Sequence, residues 1–131
     1  MTDINDAGVR ELLAAPNHAV VSTVNADGSI LSTVVWVDFV AGVLAVNSAV
    51  GRQWPTNLER DPHITLLVLD QQNPYHFAEV RGLAQGTDEG AIEHIHALAH
   101  KYTGGGFQNL SAGERRRKYV IEPQRVRYVK P

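Results

Sequence analysis

The feature that most constrains the fold is a series of short, β-branched segments separated by turn signals at intervals of roughly ten residues. The Asp27-Gly28 pair is typical of a hairpin turn, Ala41-Gly42 indicates a second tight turn, and Gly82 inside a strand marks a bulge or bend. The predicted strands cover residues 18–24, 30–39, 43–48, 63–70 and 75–85, with a last strand or strand pair bent around Pro123 over 118–129. Such spacing predicts a small antiparallel β-barrel that carries a few helices.

Three helical segments accompany the predicted strands. Residues 6–15 form an amphipathic helix with Asp6 as its N-cap, and a short helix follows residue 51, with Pro55 in its first turn and Asp61-Pro62 at its end. The longest helix covers residues 88–102. Its apolar positions at helical spacing are Ile92, Ile95, Leu98 and Ala99.

Composition narrows the class of protein. The 131-residue chain has 44% hydrophobic and 20% charged residues and a net charge of −2, which is typical of a globular protein without a basic surface for nucleic acid. It has no cysteine, which excludes disulfides, thiolate metal ligands and cysteine nucleophiles. The length predicts one domain over residues 1–131. Neither a signal-peptide pattern nor an apolar run of ~20 residues occurs, so we expect a cytoplasmic protein without membrane contact.

The stretch from Gly51 to Pro62 connects two predicted strands and contains the short helix. The N-terminus of that helix follows Ser48 and carries Gly51 and Arg52. A helix N-terminus presents free N–H groups and a positive partial charge, which favour the binding of a phosphate. The same stretch is equally consistent with a solvated connector between two strands.

Other clusters carry weaker indications of chemistry. His96 and His100 stand four residues apart and could share a zinc ion, but no third ligand accompanies them. We therefore predict no metal site at His94, His96 and His100. The basic run Arg115–Lys118 is interpreted as the solvated start of a strand, with contact to an anionic ligand as the alternative. No nucleophile elbow, dinucleotide fingerprint or phosphate-binding loop occurs, so a bound cofactor would have to supply any redox chemistry.

Five segments carry a resemblance to a known family: Val35-Trp36-Val37, residues 51–62, Asn73-Pro74-Tyr75, residues 79–82 and residues 121–126. They resemble the pyridoxamine 5'-phosphate oxidase-like split-barrel family, which binds FMN or a deazaflavin. The order Gly-Arg-x-Trp-Pro, followed by Asn-Leu-x-Arg-Asp-Pro, is similar to the coenzyme F420-dependent reductases of that family. The resemblance implies a mainly β fold, a six-stranded antiparallel split β-barrel, and a homodimer with the cofactor at the subunit interface.

The resemblance also implies a cofactor site. Its parts are a strand along the tricyclic ring, a strand end at the ribityl chain and phosphate, a phosphate-binding turn, and one residue from the neighbouring subunit. In that order, they are Ser32, Thr33, Val34 and Val35; Asn47 and Ser48; Val50, Gly51, Arg52, Gln53 and Trp54 with Asn57 beside them; and Phe77. Neither a protein nucleophile nor a metal ion is expected in the reaction.

One departure from the family pattern bears on the cofactor. In the FMN-dependent oxidases the positions of Gln53 and Trp54 carry a basic pair that clamps the terminal phosphate, whereas Arg52 is the one cation in this turn. A dianionic phosphate would lose contacts that each stabilise by roughly 1.5–3 kcal/mol. The phosphodiester of F420 carries a single charge, which suits one arginine and the N–H groups of a helix end.

The residues and the resemblance together predict an F420H2-dependent reductase that transfers a hydride to an electron-poor small molecule such as an enone. The alternatives are an FMN-dependent oxidase of the pyridoxamine-phosphate oxidase type, and a non-catalytic F420 or flavin carrier or sensor. We expect no nucleic-acid or membrane partner.

Overall fold

The computed structural model describes residues 2–131, so Met1, the first residue of the predicted domain, lies outside the described residues. Within that range the helices are α1 (Ala7–Ala14), α2 (Gln53–Arg60) and α3 (Ala91–Thr103). The strands are β1 (His18–Val24), β2 (Ile30–Val35), β3 (Val37–Val40), β4 (Val43–Ala49), β5 (His63–Leu69), β6 (Phe77–Thr87) and β7 (Arg116–Val129). Of the helices in residues 2–131, none has the length and apolar character needed to cross a membrane.

All seven strands belong to one curled antiparallel sheet with the order β2-β1-β5-β6-β7-β4-β3. The prediction of a mainly β, antiparallel split barrel is confirmed. Burial alternates along β1 and β5, as it does when one face of a strand points into a core and the other points outward. The largest fully buried side chains of the strands are Val21, Val37, Leu44, Val46, Leu66, Val68, Val80 and Tyr119.

The number of strands is seven rather than the predicted six, because the segment 30–39 is divided at Trp36. β2 pairs with β1, whereas β3 pairs with β4. These pairings lie at opposite ends of the strand order, so the chain has to change direction between Val35 and Val37. The segment contains neither glycine nor proline, so the break has no local signal and is imposed by the pairing partners.

The first helix covers the barrel as the sequence predicts. The carboxylate of Asp6 accepts a hydrogen bond from the Gly8 N–H at 3.0 Å and caps the helix. The side chains of Val9, Leu12 and Leu13 are buried against β3, β5 and β6. The apolar spacing of this helix therefore predicts its buried face correctly.

The long helix α3 begins at Ala91, and its buried face is shifted from the predicted one so that it includes Ala91 and His94. Ile95, Leu98 and Ala99 are buried, but Ile92 is 42% exposed, so its assignment to the apolar face was wrong. The reason is that the buried face runs through Ala91 and Ile95, and the next residue after Ala91 is turned by about 100° around the helix axis.

Gly82 makes the bulge that the sequence predicts. The register of β6 on β7 shifts at this residue, which pairs with Pro123, and Gln124 is left as the extra residue of β7. A Cβ atom on Gly82 would lie 2.1 Å from the carbonyl oxygen of Glu122, so this position accepts only glycine without a backbone shift. The bulge also accommodates Pro123, which has no N–H to give to the ladder.

Asn57 fixes α2 to the barrel from a fully buried position. Its Nδ2 donates hydrogen bonds to Thr23 Oγ1 at 3.1 Å and to Asn25 Oδ1 at 2.8 Å. Its Oδ1 accepts one from Gln53 Nε2 at 2.8 Å. Because all these groups are satisfied within the chain, the position of the N-terminus of α2 relative to β1 is set before any ligand binds.

Candidate functional site

A cavity of about 320 Å³ lies where β2, β4, α2, α3 and the start of β7 meet. Its volume is within the range of small-molecule sites. Seven of the residues predicted to bind a cofactor line it: Thr33, Val34, Val35, Asn47, Ser48, Arg52 and Trp54. Six residues that were not predicted complete the wall: Trp36, Ile95, Leu98, Phe107, Asn109 and Arg116. The cavity therefore joins the predicted ring strand to the predicted phosphate-binding turn.

Four predicted residues of the turn and of α2 lie beside the cavity rather than in its wall. Val50, Gly51 and Gln53 are exposed, and Gly51 has a φ angle of 101°, which favours glycine. Asn57 lies beneath α2 with its amide bound to β1 and to the loop that follows it.

Two predicted residues lie on the outer face of the sheet. The hydroxyl of Ser32 is 2.9 Å from the hydroxyl of Ser22 on β1. Phe77 begins β6, pairs with Leu69 and lies beneath the guanidinium of Arg127. Phe77 is thus separated from the cavity of its own chain.

Arg52 is the N-cap of α2 and forms part of the cavity wall. No side chain caps this helix, and Pro55 in its first turn has no N–H, so the amides of Gln53 and Trp54 lack intrahelical acceptors. Within residues 2–131 the exposed guanidinium of Arg52 has no hydrogen-bond or ion-pair partner. A cation at the positive end of a helix is unfavourable alone, and an anion between the two would relieve the repulsion.

Arg116 is a second cation in the wall, and its sequence position within the basic run did not distinguish it. It is 4% exposed, and its Nε donates to Asn47 Oδ1 at 3.0 Å while its Nη1 lies 3.3 Å from Glu114 Oε2. Burial lowers the pKa of Arg116, Glu114 opposes this, and the charge of Arg52 lowers the pKa further. The positive charges of Arg52 and Arg116 in the wall of the same cavity therefore repel each other.

The remaining arginines of the basic run are bound elsewhere. Arg115 and Arg117 both form ion pairs with Asp88, and Arg117 also contacts Glu59 at 2.6 Å. These contacts fit the interpretation of a solvated strand start. Arg116, Arg117 and Lys118 all pair with β4, but Arg116 is buried on the sheet face that carries Asn47, and this placement has no signal in the run itself.

A chain of hydrogen bonds holds Arg116 from behind. Asn47 Oδ1 accepts from Arg116, so its Nδ2 is the donor to Ala91 O at 2.9 Å and to His94 Nδ1 at 3.1 Å. With Nδ1 as an acceptor, the Nε2–H of His94 donates to Asp38 Oδ1 at 3.1 Å. His94 is buried and links Asn47 to Asp38 in this chain.

The three histidines of α3 do not converge on one point. His94 binds Asp38, His96 Nδ1 accepts the N–H of Phe107 at 3.0 Å, and His100 is exposed. Within residues 2–131 no group of three or more His, Cys, Asp or Glu side chains is arranged to hold a metal ion.

Aromatic and aliphatic side chains form the other side of the cavity. The indole of Trp36 stacks on Tyr102 at 5.4 Å and meets the ring of Phe107 edge-on at 6.2 Å. Ile95 and Leu98 of α3 are buried behind this wall. A planar conjugated ring could pack against this apolar surface.

Two ionisable side chains anchor the C-terminal part of α3 below the aromatic wall. The Lys101 ammonium donates to the carbonyl oxygens of Leu13 and Val37, each at 2.5 Å, and burial lowers the pKa of Lys101 to about 8. The Tyr102 hydroxyl donates to Asn17 O at 2.8 Å, and burial raises the pKa of Tyr102. Both groups bind backbone carbonyls outside the cavity wall, so their role is to fix α3.

The hydroxyl of Ser48 tests whether the cavity fits a polar ligand. Ser48 is 2% exposed and lines the cavity, and its Oγ has no hydrogen-bond partner within residues 2–131. A buried hydroxyl without a partner costs stability unless a ligand supplies one. Together with the free guanidinium of Arg52, this hydroxyl fits an anionic or hydroxylated group.

A larger groove of about 610 Å³ lies on the outer face of the sheet, between the ends of β1, β5 and β6 and the bulge in β7. It contains none of the predicted cofactor residues, and its cations Arg81 and Arg125 are exposed. The smaller cavity is the stronger candidate because it contains most of the predicted cofactor residues, the buried cation Arg116 and the buried, unpartnered hydroxyl of Ser48.

Solved structures resemble this fold over most of the chain. A protein named F420 reductase is 25% identical, with a TM-score of 0.80, and the match covers 90% of this chain and 94% of that one. A conserved hypothetical protein of Mycobacterium tuberculosis matches at 19% identity and a TM-score of 0.76, over 97% of this chain and 85% of that one. A candidate pyridoxamine 5'-phosphate oxidase of Listeria innocua matches at 22% identity and a TM-score of 0.65, over 86% and 87%. At these lower identities the likeness shows the fold alone.

The family comparison covers nearly the whole of the described chain. No curated protein matches the sequence significantly. The model of the pyridoxamine 5'-phosphate oxidase family matches residues 6–130, a range that includes every strand of the barrel and every residue of the cavity wall. The curled antiparallel sheet and this match lead to the same assignment: the chain belongs to the pyridoxamine 5'-phosphate oxidase family.

Proposed function

We propose that the chain is an F420H2-dependent reductase. The observation that carries the proposal is the cavity at the N-terminus of α2, where two arginines and an unpartnered serine hydroxyl meet an apolar wall. When bound, the reduced deazaflavin supplies a hydride to an electron-poor acceptor such as an enone. The chain itself binds the cofactor, orients it and excludes water from its ring. The likeness to a protein named F420 reductase supports this choice within the family.

The charges around the cavity support a phosphodiester as the ligand group. Arg52 and Arg116 provide two positive charges, and the carboxylate of Glu114 on Arg116 offsets one of them. One net positive charge and the partial charge of the helix end match the single negative charge of a phosphodiester. A phosphate dianion would need a further cation.

The predicted roles divide the wall into two parts. Thr33 and Val35 on β2 would lie along the ring, and Phe107 with Leu98 would keep water away from it. Arg52 would bind the phosphodiester at the other end of the cavity. No side chain has to act as a nucleophile in this arrangement.

A second candidate is an FMN-dependent oxidase, and one observation favours it. The turn alone offers a single cation to a phosphate, but Arg116 reaches the same cavity from β7 and adds another. Two guanidinium groups could bind a phosphate dianion if Glu114 moved away from Arg116. The choice between the cofactors therefore has to be made by titration.

We expect F420 to bind with a dissociation constant in the micromolar range or below, and FMN to bind more weakly by a factor of about ten or more. The physical reason is that the one net positive charge of Arg52, Arg116 and Glu114 matches the single charge of a phosphodiester better than the two charges of a phosphate dianion. Fluorescence titration with both cofactors measures the difference in affinity, and replacing Gln53 with Arg and Trp54 with Lys should narrow that difference.

Oxidation of F420H2 by a panel of enones then tests turnover. Equal or tighter binding of FMN would refute the cofactor assignment, and F420 binding without turnover would indicate a carrier or sensor.

We also propose that the chain forms a homodimer through the outer face of the sheet. In the register of the sheet, Val20 lies between Val34 and Leu67, and Leu69 lies beside Phe77. Val34 is 68% exposed and also borders the cavity, so the cavity opens towards this apolar surface. A second copy would cover both, and could bring Phe77 to the cavity of its partner.

Replacing Leu67 with Arg should convert a dimer into monomers at micromolar concentration, because a charge would be buried at the centre of the outer face. Sedimentation velocity measures the mass, and F420 affinity should fall together with the dimer. Val40, which is 63% exposed on β3, provides the matched control, since Val40→Arg should leave the mass unchanged. A wild-type chain that is monomeric under these conditions would disprove the dimer.

A further inference from the structure

The connection between α3 and β7 supplies part of the cavity wall without belonging to the barrel. Phe107 and Asn109 of this connection line the cavity, and residues 106–113 around them contain neither helix nor strand. We propose that residues 106–113 form a gate of the cavity, and that His96 is the positioning residue that holds the gate closed. This inference goes beyond the proposed function, because it concerns how any ligand reaches the cavity.

Within residues 2–131, one hydrogen bond connects the gate to the body of the fold. The N–H of Phe107 donates to Nδ1 of His96 on α3 at 3.0 Å. The other hydrogen bond of the gate is local, from the N–H of Glu114 to the carbonyl oxygen of Ser111. Residues 108–113 are all exposed. A segment with so few buried contacts and hydrogen bonds opens at a lower free-energy cost than the strands of the core.

The chain can bend at both ends of the gate. Gly104, which caps α3, has a φ angle of 83°, and Gly113 has a φ angle of 77°. A Cβ atom added at either position would meet no other atom within 4 Å, so both glycines lie in open space. Small residues at the ends of a moving segment can absorb its change of backbone angles, and these two glycines are therefore the hinges of the gate.

The side chain of Phe107 closes the cavity on this side. Its ring meets the indole of Trp36 edge-on at 6.2 Å and lies 5.2 Å from the guanidinium of Arg116, which is 4% exposed. Outward movement of the gate would expose the indole and the guanidinium and would widen the cavity beyond about 320 Å³. A gate that opens for a planar ring and closes over it provides both entry and exclusion of water.

Two substitutions of His96 separate the loss of its acceptor from the loss of its bulk. Asn carries its amide oxygen at the same number of bonds from Cα as Nδ1 of His, so His96→Asn keeps an acceptor for the N–H of Phe107. His96→Leu removes the acceptor and should raise the open population about two- to tenfold, as expected for one hydrogen bond. His100→Leu is the matched control, because His100 is exposed on the same helix.

The exposure of Trp36 reports the state of the gate without any ligand. In a Trp54→Phe background Trp36 is the single tryptophan, since the chain has two. Quenching of its fluorescence by acrylamide should increase in His96→Leu and in Phe107→Ala. It should stay at the parent level in His96→Asn and in His100→Leu.

The rate of ligand binding reports the same opening. If the gate must open first, the association rate constant is proportional to the open population. Stopped-flow mixing with FMN and with F420 should therefore give association rates about two- to tenfold higher in His96→Leu, and parent rates in His96→Asn.

Amide hydrogen exchange of the parent chain tests the gate without any substitution. The N–H of Phe107 should exchange through a local opening whose free energy depends little on urea, because little surface is exposed. The N–H of Val46, in the core strand β4, should exchange only through global unfolding. Exchange of Phe107 with the free energy and urea dependence of Val46 would overturn the gate.

The two classes of measurement separate the failure of this inference from the failure of the proposed function. If neither FMN nor F420 binds, while quenching of Trp36 and exchange of Phe107 follow the expected pattern, the gate stands and the proposed function fails. If His96→Asn behaves like His96→Leu, or if His96→Leu behaves like His100→Leu, the gate is overturned even if F420H2 is oxidised.

Discussion

Arg52→Ala should lower the affinity for F420 by about 10- to 150-fold while leaving the fold intact. The loss corresponds to one charge-assisted contact of roughly 1.5–3 kcal/mol. The free energy of unfolding should hardly change, because the Arg52 side chain is exposed and has no partner within residues 2–131. Fluorescence titration and urea unfolding measure the two quantities on the same sample.

The salt dependence of binding gives a second readout for Arg52. Affinity should fall with added salt in the parent chain and fall less steeply in Arg52→Ala, since one screened interaction has been removed. Arg10→Ala is the matched control, because Arg10 is an exposed arginine on α1 and is not part of the cavity wall. A folded Arg52→Ala variant with the parent dissociation constant would show that the phosphate lies elsewhere, and Arg116 would then be the remaining cation of the wall.

Gly82→Ala should destabilise the chain by about 3 kcal/mol, the upper end of the usual cost of inserting a methyl group into a packed interior. The new Cβ would lie 2.1 Å from the carbonyl oxygen of Glu122 and 3.2 Å from the side chain of Ile121. The nearest atom is backbone, so the strand pair β6–β7 has to separate at the bulge. Chemical denaturation followed by circular dichroism measures the loss.

Gly105→Ala is the matched control for Gly82→Ala. A Cβ atom added to Gly105 would have no other atom within 4 Å, and this glycine lies in the segment after α3. Its substitution should change the free energy of unfolding by about 0.5 kcal/mol or less. Equal effects of the two substitutions would show that the close approach at Glu122 is relieved without cost.

Local signals allowed most of the fold to be predicted. The Asp27-Gly28 turn, the Asp6 cap and the bulge at Gly82 each depend on residues that are neighbours in sequence or on the special geometry of glycine. The break at Trp36 could not be predicted, because it follows from which strands β2 and β3 pair with. Ile92 was assigned to the wrong face because apolar spacing alone does not show where the buried face is centred.

The residues of the candidate site also fall into those with a local sequence signal and those whose position depends on long-range contacts. Arg52 was found because a helix start can be recognised from Pro55 and the strand before it. Arg116 was missed because its burial depends on the pairing of β7 with β4, a contact between residues far apart in the chain. His94 was grouped with the other histidines of α3, and only the structure separates it from them through Asp38.

The division at Trp36 has a consequence for ligand recognition. β2 is an edge strand with β1 as its one neighbour in the described sheet, so half of its backbone N–H and C=O groups face away from any strand. Thr33, Val34 and Val35 of this edge strand line the cavity. A ring that carries amide-like donors and acceptors could therefore form hydrogen bonds with main-chain atoms of β2, in the way that a sheet edge accepts an added strand. Side-chain substitutions along β2 would alter the shape of this surface but leave its hydrogen-bonding pattern in place.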